Sequence, residues 1–423
     1  MTKVVAKHKV DCEEVLGTFI DETHFDEIIK EDMDLYAIDP VDPDKKDESN
    51  IIFKYRKGVF TKKEQESAYE GLRPAATESQ NRGIAAGPRG DRLNAKGRGG
   101  RDWVTDYQMD VIEYYEDPPL FGEFPTESSK KVDDTRGIVW LRSKIIPKYG
   151  EYEGWFDKWI AETKDFDTNQ KKEAAKEVRT YMSDTNYAQS VMSGIAGFYD
   201  RYPRIPYGRA CGFNERHPEL FVKSFPYLRK LNEVFKKELP VRWGAQRAAA
   251  NKLDKNFLID ETVFTTLTVN YDWRTAAHRD AGDLSSGFSN ISGIGKGWKG
   301  CVFVLPEYRV GINLQPGDLL LVNNHEGIHG NTAFEGEDND RVSIVAYFRE
   351  KMLSLKSWEY EQLRKQFVEE RRKNPDHPNQ RHLWNGVSPN MWESDEWADY
   401  LKLYNMEDED GNFSSSLEDF FAT

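Results

Sequence analysis

Three side chains in the last third of the chain have the types and spacing to hold one metal ion. His278 and Asp280 stand two apart in VNYDWRTAAHRDAGD, and a histidine follows in GDLLLVNNHEGIHGNT. Two imidazoles and a carboxylate can fill one face of an iron octahedron and leave positions open for a cosubstrate and O2. His325 and His329 compete for the third place; His329 is preferred because it stands at the turn before the next β-prone run. That run, DRVSIVAYF, brings Arg341, whose guanidinium fork matches a carboxylate in two-point fashion. Ser343 shares its strand face, so the pair can bind the distal carboxylate of 2-oxoglutarate. Asn270, closing the strand before the histidine, is a candidate for the other end of that cosubstrate. A zinc hydrolase could use the same three ligands but would leave Arg341 without a task.

These residues need a β framework. H-x-D follows ETVFTTLTVNY, and alternation along a strand places residues two apart on one face. CVFVLP, GDLLLV and DRVSIVAYF are further strands separated by turns. Between residues 218 and 239, Leu228, Leu231, Val234 and Phe235 recur at helical spacing, so a helix is expected on the outside of the sheet. Thr61 and Glu64 form a capping box opening a helix to about Leu72, after β-prone runs at 15–20 and 51–59. A helix is expected from Thr168, an exposed one over 355–373, and another around 391–403 before an acidic tail.

The chain has 423 residues, enough for a sizeable core, and 13 % of them are aromatic, which places it among globular proteins. Its net charge of −14 argues against non-specific adhesion to nucleic acid. The exception is a basic, glycine-rich stretch over 73–101 that includes Arg82, Arg89, Arg92, Lys96, Arg98 and Arg101. Two readings compete for it: a solvated, flexible connector, and a loop whose backbone and guanidiniums approach phosphates. Three scattered cysteines do not make a disulfide framework, and no apolar run approaches the ~20 residues that cross a bilayer. A cytoplasmic location is expected.

Over roughly residues 194–350 the chain resembles the 2-oxoglutarate/Fe(II) dioxygenases, and more narrowly the TET/JBP group of nucleic-acid base hydroxylases, which includes phage-encoded members. VNYDWRTAAHRDAGD, GDLLLVNNHEGIHGNT, DRVSIVAYF and, less closely, DRYPRIPYGRACGF carry the resemblance. It implies an α+β fold: a double-stranded β-helix (jelly roll) over 191–350 with helices packed outside. A mixed N-terminal region over 1–190 and C-terminal helices over 351–423 flank that core. It also implies Fe(II), 2-oxoglutarate and O2, with ascorbate as a reductant, and DNA carrying a methylated pyrimidine as substrate, its base flipped out. Carried over, His278, Asp280 and His329 are the iron ligands, Arg341 is the 2-oxoglutarate anchor, and Arg209 belongs to the active-site wall.

One position departs from the animal enzymes, which have H-x-D-x-x-N where this chain has Asp283. A carboxylate accepts from the N4 amine of cytosine but meets only an acceptor at O4 of thymine. The expectation is therefore conversion of 5-methylcytosine to 5-hydroxymethylcytosine. Thymine to 5-hydroxymethyluracil is the alternative, and oxidation of a protein or small molecule a further rival. The glycine-rich segment over 281–300 reads as a mobile lid, with Phe288 or Trp298 stacking on the base, or else as an ordinary flexible connector.

Overall fold

The computed structural model describes residues 2–79, 82–87, 191–201, 205–373, 392 and 395–404. Arg98 and Arg101 lie outside these residues, as do Arg89, Arg92, Lys96, the aromatic-rich stretch 103–160 and the helix expected from Thr168. The described residues fall into two compact units, one of 2–87, 191–200 and 209–355, the other of 201–208 and 356–404.

The first unit carries the strands β1 (Thr2–Val5), β2 (Glu27–Ile29), β3 (Met33–Tyr36), β4 (Ile51–Arg56), β5 (Thr77–Ser79), β6 (Val191–Tyr199), β7 (Arg209–Ala210), β8 (Thr266–Tyr271), β9 (Ser289–Gly297), β10 (Phe303–Leu305), β11 (Val310–Ile312), β12 (Leu319–Val322), β13 (Gly330–Asn331) and β14 (Asp340–Tyr347). Among the described residues the larger sheet runs β1-β3-β4-β12-β9-β14-β8-β6-β5, with β7 on β6, and the smaller runs β13-β10-β11-β2. Strands from the first sixty residues thus complete both sheets.

Alternation decides what each face meets. Along β12, Leu320 and Val322 join Phe303, Leu305, Val310 and Ile312 of the smaller sheet in one buried layer. Leu319 and Leu321 face the other way, into a cluster with Leu228, Leu231 and Phe235. Each fully buried Leu or Phe contributes roughly 2 kcal/mol. The helices on that outer face are α1 (Lys62–Leu72), α2 (Gly212–Arg216), α3 (Pro218–Lys223), α4 (Phe225–Glu238) and α5 (Pro240–Ala250). The Thr61–Glu64 capping box forms as expected, with the Thr61 amide donating to the Glu64 carboxylate at 2.8 Å. The apolar run over 218–239 is two helices rather than one, divided at Ser224 ahead of Pro226.

Other sequence expectations change. Residues 15–20 are not a strand: Val15 ends a short 3-10 turn, and Val15 and Ile20 are buried with Ala277, Val302, Val304 and Ile328. The expected lid is a central strand instead. Residues 289–297 form β9, paired on one side with β12 and on the other with β14. Its glycines serve close approach and curvature. Gly295 has φ +120° where β9 bulges against β14, and a Cβ there would overlap the Asp340 carbonyl.

In the second unit, α6 (Trp358–Lys373) and α7 (Asp395–Leu403) are amphipathic rather than exposed throughout. Tyr360, Leu363, Phe367 and Val368 bury one face against Tyr207, Trp397 and Leu401. No helix among the described residues is long and apolar enough to cross a membrane.

Candidate active site

His278 and His329 belong to loops, and a two-residue antiparallel bridge holds them together. The amide of His278 donates to the carbonyl of His329 at 2.9 Å, and the amide of His329 returns the bond at 3.0 Å. His278 and Asp280 lie beyond the end of β8 at Tyr271, so strand alternation does not aim this pair; the bridge and the Asn324 contacts to Asp280 do. The Asp280 amide donates to the carbonyl of Asn324 at 2.9 Å, and the Asn324 amide group donates to the Asp280 carboxylate at 3.2 Å. Nε2 of His278 lies 3.5 Å from one Asp280 oxygen and Nε2 of His329 lies 3.6 Å from the other. One ligand atom from each of the three falls within 4.8 Å of the others.

Both imidazoles are set in the tautomer a metal needs. Nδ1 of His278 donates to the Ala276 carbonyl at 2.8 Å and Nδ1 of His329 to the Gly327 carbonyl at 3.0 Å, so each Nε2 faces Asp280. Burial works against charge on His278, but the Asp280 carboxylate outweighs it and raises the imidazole above its ordinary range. Burial, then the neighbouring His278, lower His329. Asp280 is buried as well, yet the two imidazoles hold it well below the usual carboxylate range. Two neutral nitrogens and one carboxylate fit a divalent iron, and the three groups are held ready for it. His325 stands apart from them.

A second cluster lines the same cavity of about 330 Å³. Arg341 is only 3 % exposed, and its Nε is buried without a hydrogen-bond partner. Among the described residues it has no carboxylate partner either. Ser343 shares its face of β14 and pairs in register with Asn270 of β8, whose side-chain oxygen accepts from Ser193 at 2.5 Å. An unpartnered guanidinium beside a hydroxyl and an amide fits the carboxylate of a keto-acid. Trp298 supports this cluster and is not on a lid. It covers Gly293, where a Cβ would come within 2.6 Å of the indole, and its ring lies 5.4 Å from the Arg341 guanidinium. Phe288 is also corrected: it is buried in the core cluster that includes α4, outside the cavity lining.

The remaining wall holds Asp283, Tyr199, Tyr347, Arg349 and Arg82. Asp283 accepts from the Ser289 hydroxyl at 2.5 Å; burial, then the charge of Asp280, push its carboxyl well above the usual range. Arg349 pairs with Asp200 and lies 4.0 Å from the Tyr199 ring. Arg209 does not line the cavity; it lies 5.2 Å from the same ring and donates to the Asp200 carbonyl at 3.1 Å. Sequence reasoning missed Asn324, Tyr199, Tyr347 and Arg349, and read Arg82 only as part of a basic loop. Adjacency to the histidine motif was the one available signal for Asn324.

Residues 194–350 match the family model Tet_JBP, the oxygenase domain of the 2OGFeDO superfamily. The chain is 34 % identical over 168 residues to thymine dioxygenase JBP1 of Leishmania braziliensis, covering 38 % of this chain and 20 % of that protein. It is 33 % identical over 184 residues to the Crithidia fasciculata protein of the same name, covering 42 % and 22 %. It thus spans about a fifth of the length of these relatives. Among solved structures, NgTET1 in complex with 5mC DNA is 14 % identical with a TM-score of 0.33, covering 41 % of this chain and 69 % of that one. The 2OG-Fe(II) oxygenase family oxidoreductase from Burkholderia pseudomallei is 14 % identical with a TM-score of 0.26, covering 46 % and 90 %. The family match and the metal-binding geometry fall on the same residues. The segment 194–350 is an oxygenase domain of the TET/JBP type, within the 2-oxoglutarate/Fe(II) dioxygenase superfamily.

Proposed function

We propose that this chain hydroxylates the 5-methyl group of a pyrimidine in DNA, using Fe(II), 2-oxoglutarate and O2. The observation that carries the reading is the meeting of His278, Asp280 and His329 with an unpartnered, buried Arg341 in one cavity. In this reading the first three hold iron, Arg341 and Ser343 hold the distal carboxylate of 2-oxoglutarate, and Asn270 contacts the same molecule. The two facing sheets support a double-stranded β-helix as the frame. Together the bound groups supply decarboxylation of the keto-acid to succinate coupled to insertion of one oxygen atom into a C–H bond.

The protein's share is to set the methyl group beside the triad and to exclude water. A methyl group inside a duplex is out of reach, so the target nucleotide has to be extruded into the cavity. The basic stretch with Arg98 and Arg101 is proposed to follow the phosphates.

Two bases compete. Relatives named thymine dioxygenase, at 33 and 34 % identity, favour thymine and a 5-hydroxymethyluracil product. Asp283 supports 5-methylcytosine insofar as its carboxyl accepts from N4. A carboxylic acid in its neutral form can also donate to O4 of thymine, so Asp283 by itself does not separate the two bases. Mass spectrometry of nucleosides from thymine-containing and 5-methylcytosine-containing duplexes, after incubation with enzyme, Fe(II) and 2-oxoglutarate, decides between them. Absence of a hydroxymethyl product from both duplexes would overturn the DNA reading.

A further inference from the structure

Four arginines line the cavity: Arg82, Arg279, Arg341 and Arg349. Two have their own counter-charge. Arg279 is held by Glu13 at 2.5 and 3.0 Å, and Arg349 by Asp200. Arg341 is taken up by the keto-acid in the reading above. Arg82 is left over. Among the described residues no carboxylate lies within ion-pair distance of it, and its Nε is sealed from solvent without a hydrogen-bond partner. Asp280 acts on it through space, but that carboxylate is already engaged by both imidazoles.

Arg82 is partly buried, and a guanidinium with its Nε closed off and unpartnered is costly; such a group fits a site that a ligand completes. The backbone leaves Arg82 little freedom. Ala276 donates to the Ala85 carbonyl at 2.9 Å, and Ala85 and Ala86 pack against Val191 and Trp273. Gly87, at φ +91°, lies so close to Phe19 that a Cβ would overlap its ring. Arg82 is therefore anchored at its base and directed into the cavity, not carried on a free arm.

Its position separates it from the cosubstrate. Arg341 and Tyr347 are the two ends of one face of β14, about 20 Å apart along the strand at about 3.3 Å per residue. Arg82 lines the cavity together with Tyr199 and Tyr347, and its charge acts first on those two phenols and after them on Asp280. A five-carbon keto-acid held between Arg341 and the triad is far shorter than that strand. The phosphate of an extruded nucleotide stays at the rim, whereas Nε of Arg82 is closed off from water. What enters this end is the base itself.

We propose that Arg82 reads the substrate by donating a hydrogen bond to a ring carbonyl oxygen of the extruded pyrimidine. The inference rests on the DNA reading above. Thymine offers O2 and O4 and 5-methylcytosine offers O2, while the cytosine N4 amine is itself a donor and gives Arg82 nothing to bind.

The test measures duplex binding by fluorescence anisotropy without O2, with Fe(II) and 2-oxoglutarate bound. Duplexes carrying one mismatched thymine, one mismatched 5-methylcytosine or one abasic site at the same position are compared. Wild-type protein is expected to prefer a base over the abasic site. Arg82→Gln is expected to lose about 10- to 100-fold in affinity for the preferred duplex while its abasic affinity and its 2-oxoglutarate KM stay within about twofold. Arg82→Lys keeps a donor and is expected to recover part of the preference, which separates recognition from misfolding. Equal weakening on the abasic duplex would make Arg82 a phosphate contact, and a raised 2-oxoglutarate KM with base preference intact would make it a cosubstrate contact. Either result overturns the proposal. A wild-type protein indifferent to the base would instead remove the DNA reading and this inference with it.

Discussion

His278 and His329 exchange both of their backbone hydrogen bonds, at 2.9 and 3.0 Å, so their rings stand 4.3 Å apart between centroids. The two imidazoles are thereby fixed by main chain before any metal arrives, and the Asp280 carboxylate already lies within 3.6 Å of both.

The choice of ligand is testable directly. His329→Ala is expected to weaken iron binding by more than about 100-fold, beyond the 10- to 100-fold typical of losing an outer partner, and to stop succinate formation. His325→Ala is expected to keep most of both. Metal titration of the two variants checks this, and the reverse order would reassign the third ligand.

Arg341→Gln is expected to raise the 2-oxoglutarate KM about 10- to 100-fold, because one charge-assisted pair is removed from a buried position. Arg341→Lys should not restore it, since an ammonium lacks the two-pronged fork. Steady-state kinetics at varied 2-oxoglutarate gives the answer; full recovery with lysine would mean that charge alone suffices.

Metal binding should weaken with acid earlier than an ordinary histidine would require. Asp280 raises His278 above its usual 6.5, and iron must displace that proton. Affinity is then full above the raised value and falls as pH drops through it, a window beginning on the alkaline side of 6.5. Iron affinity measured across this range checks the sign; a constant affinity down to the ordinary histidine range would count against it.

Gly295→Ala places a side chain on a left-handed backbone and against the Asp340 carbonyl. A loss of about 2 kcal/mol or more in urea unfolding is expected. Because the bulge adjoins Arg341, a rise in the 2-oxoglutarate KM should accompany it. Unchanged stability would show that β9 tolerates a different bend.

Replacing Arg89, Arg92, Arg98 and Arg101 with Gln should weaken DNA binding and flatten its salt dependence by up to about 0.9 for each phosphate no longer neutralised. An unaltered slope would return this stretch to the role of a connector.

The chemistry was legible wherever it depended on local order. H-x-D, the histidine in HGNT and the arginine opening DRVSIVAYF stand in motifs that name their own neighbours, and they do meet in one cavity. What failed was the reading of glycine. Gly293 and Gly295 suggested a flexible lid, whereas one makes room for Trp298 and the other lets β9 bulge, both requirements of a packed interior. Phe288 and Trp298 were misplaced for the same reason, since an aromatic residue beside glycines reads alike in a lid and in a core. Arg82 was hidden by its company. Among glycines and other arginines it looked like a solvated charge, and its segment reaches the cavity through the pairing of β5 with β6 and the hydrogen bond from Ala276 to Ala85. No periodicity reports such a long-range pairing.

The two sheets close only with strands from the first sixty residues: β12 lies between β4 and β9, and β11 between β10 and β2. A polypeptide cut to begin at Gly194 would contain every proposed iron ligand yet leave β12 and β11 as bare edges. Such rows of unanswered amides and carbonyls invite other chains to add to them, so that fragment is expected to clump rather than catalyse. During synthesis the early strands must wait for partners made some 260 residues later, such as Tyr55 for Leu320. Folding of this protein is therefore expected to be slow and to finish only after the ribosome has delivered the catalytic half.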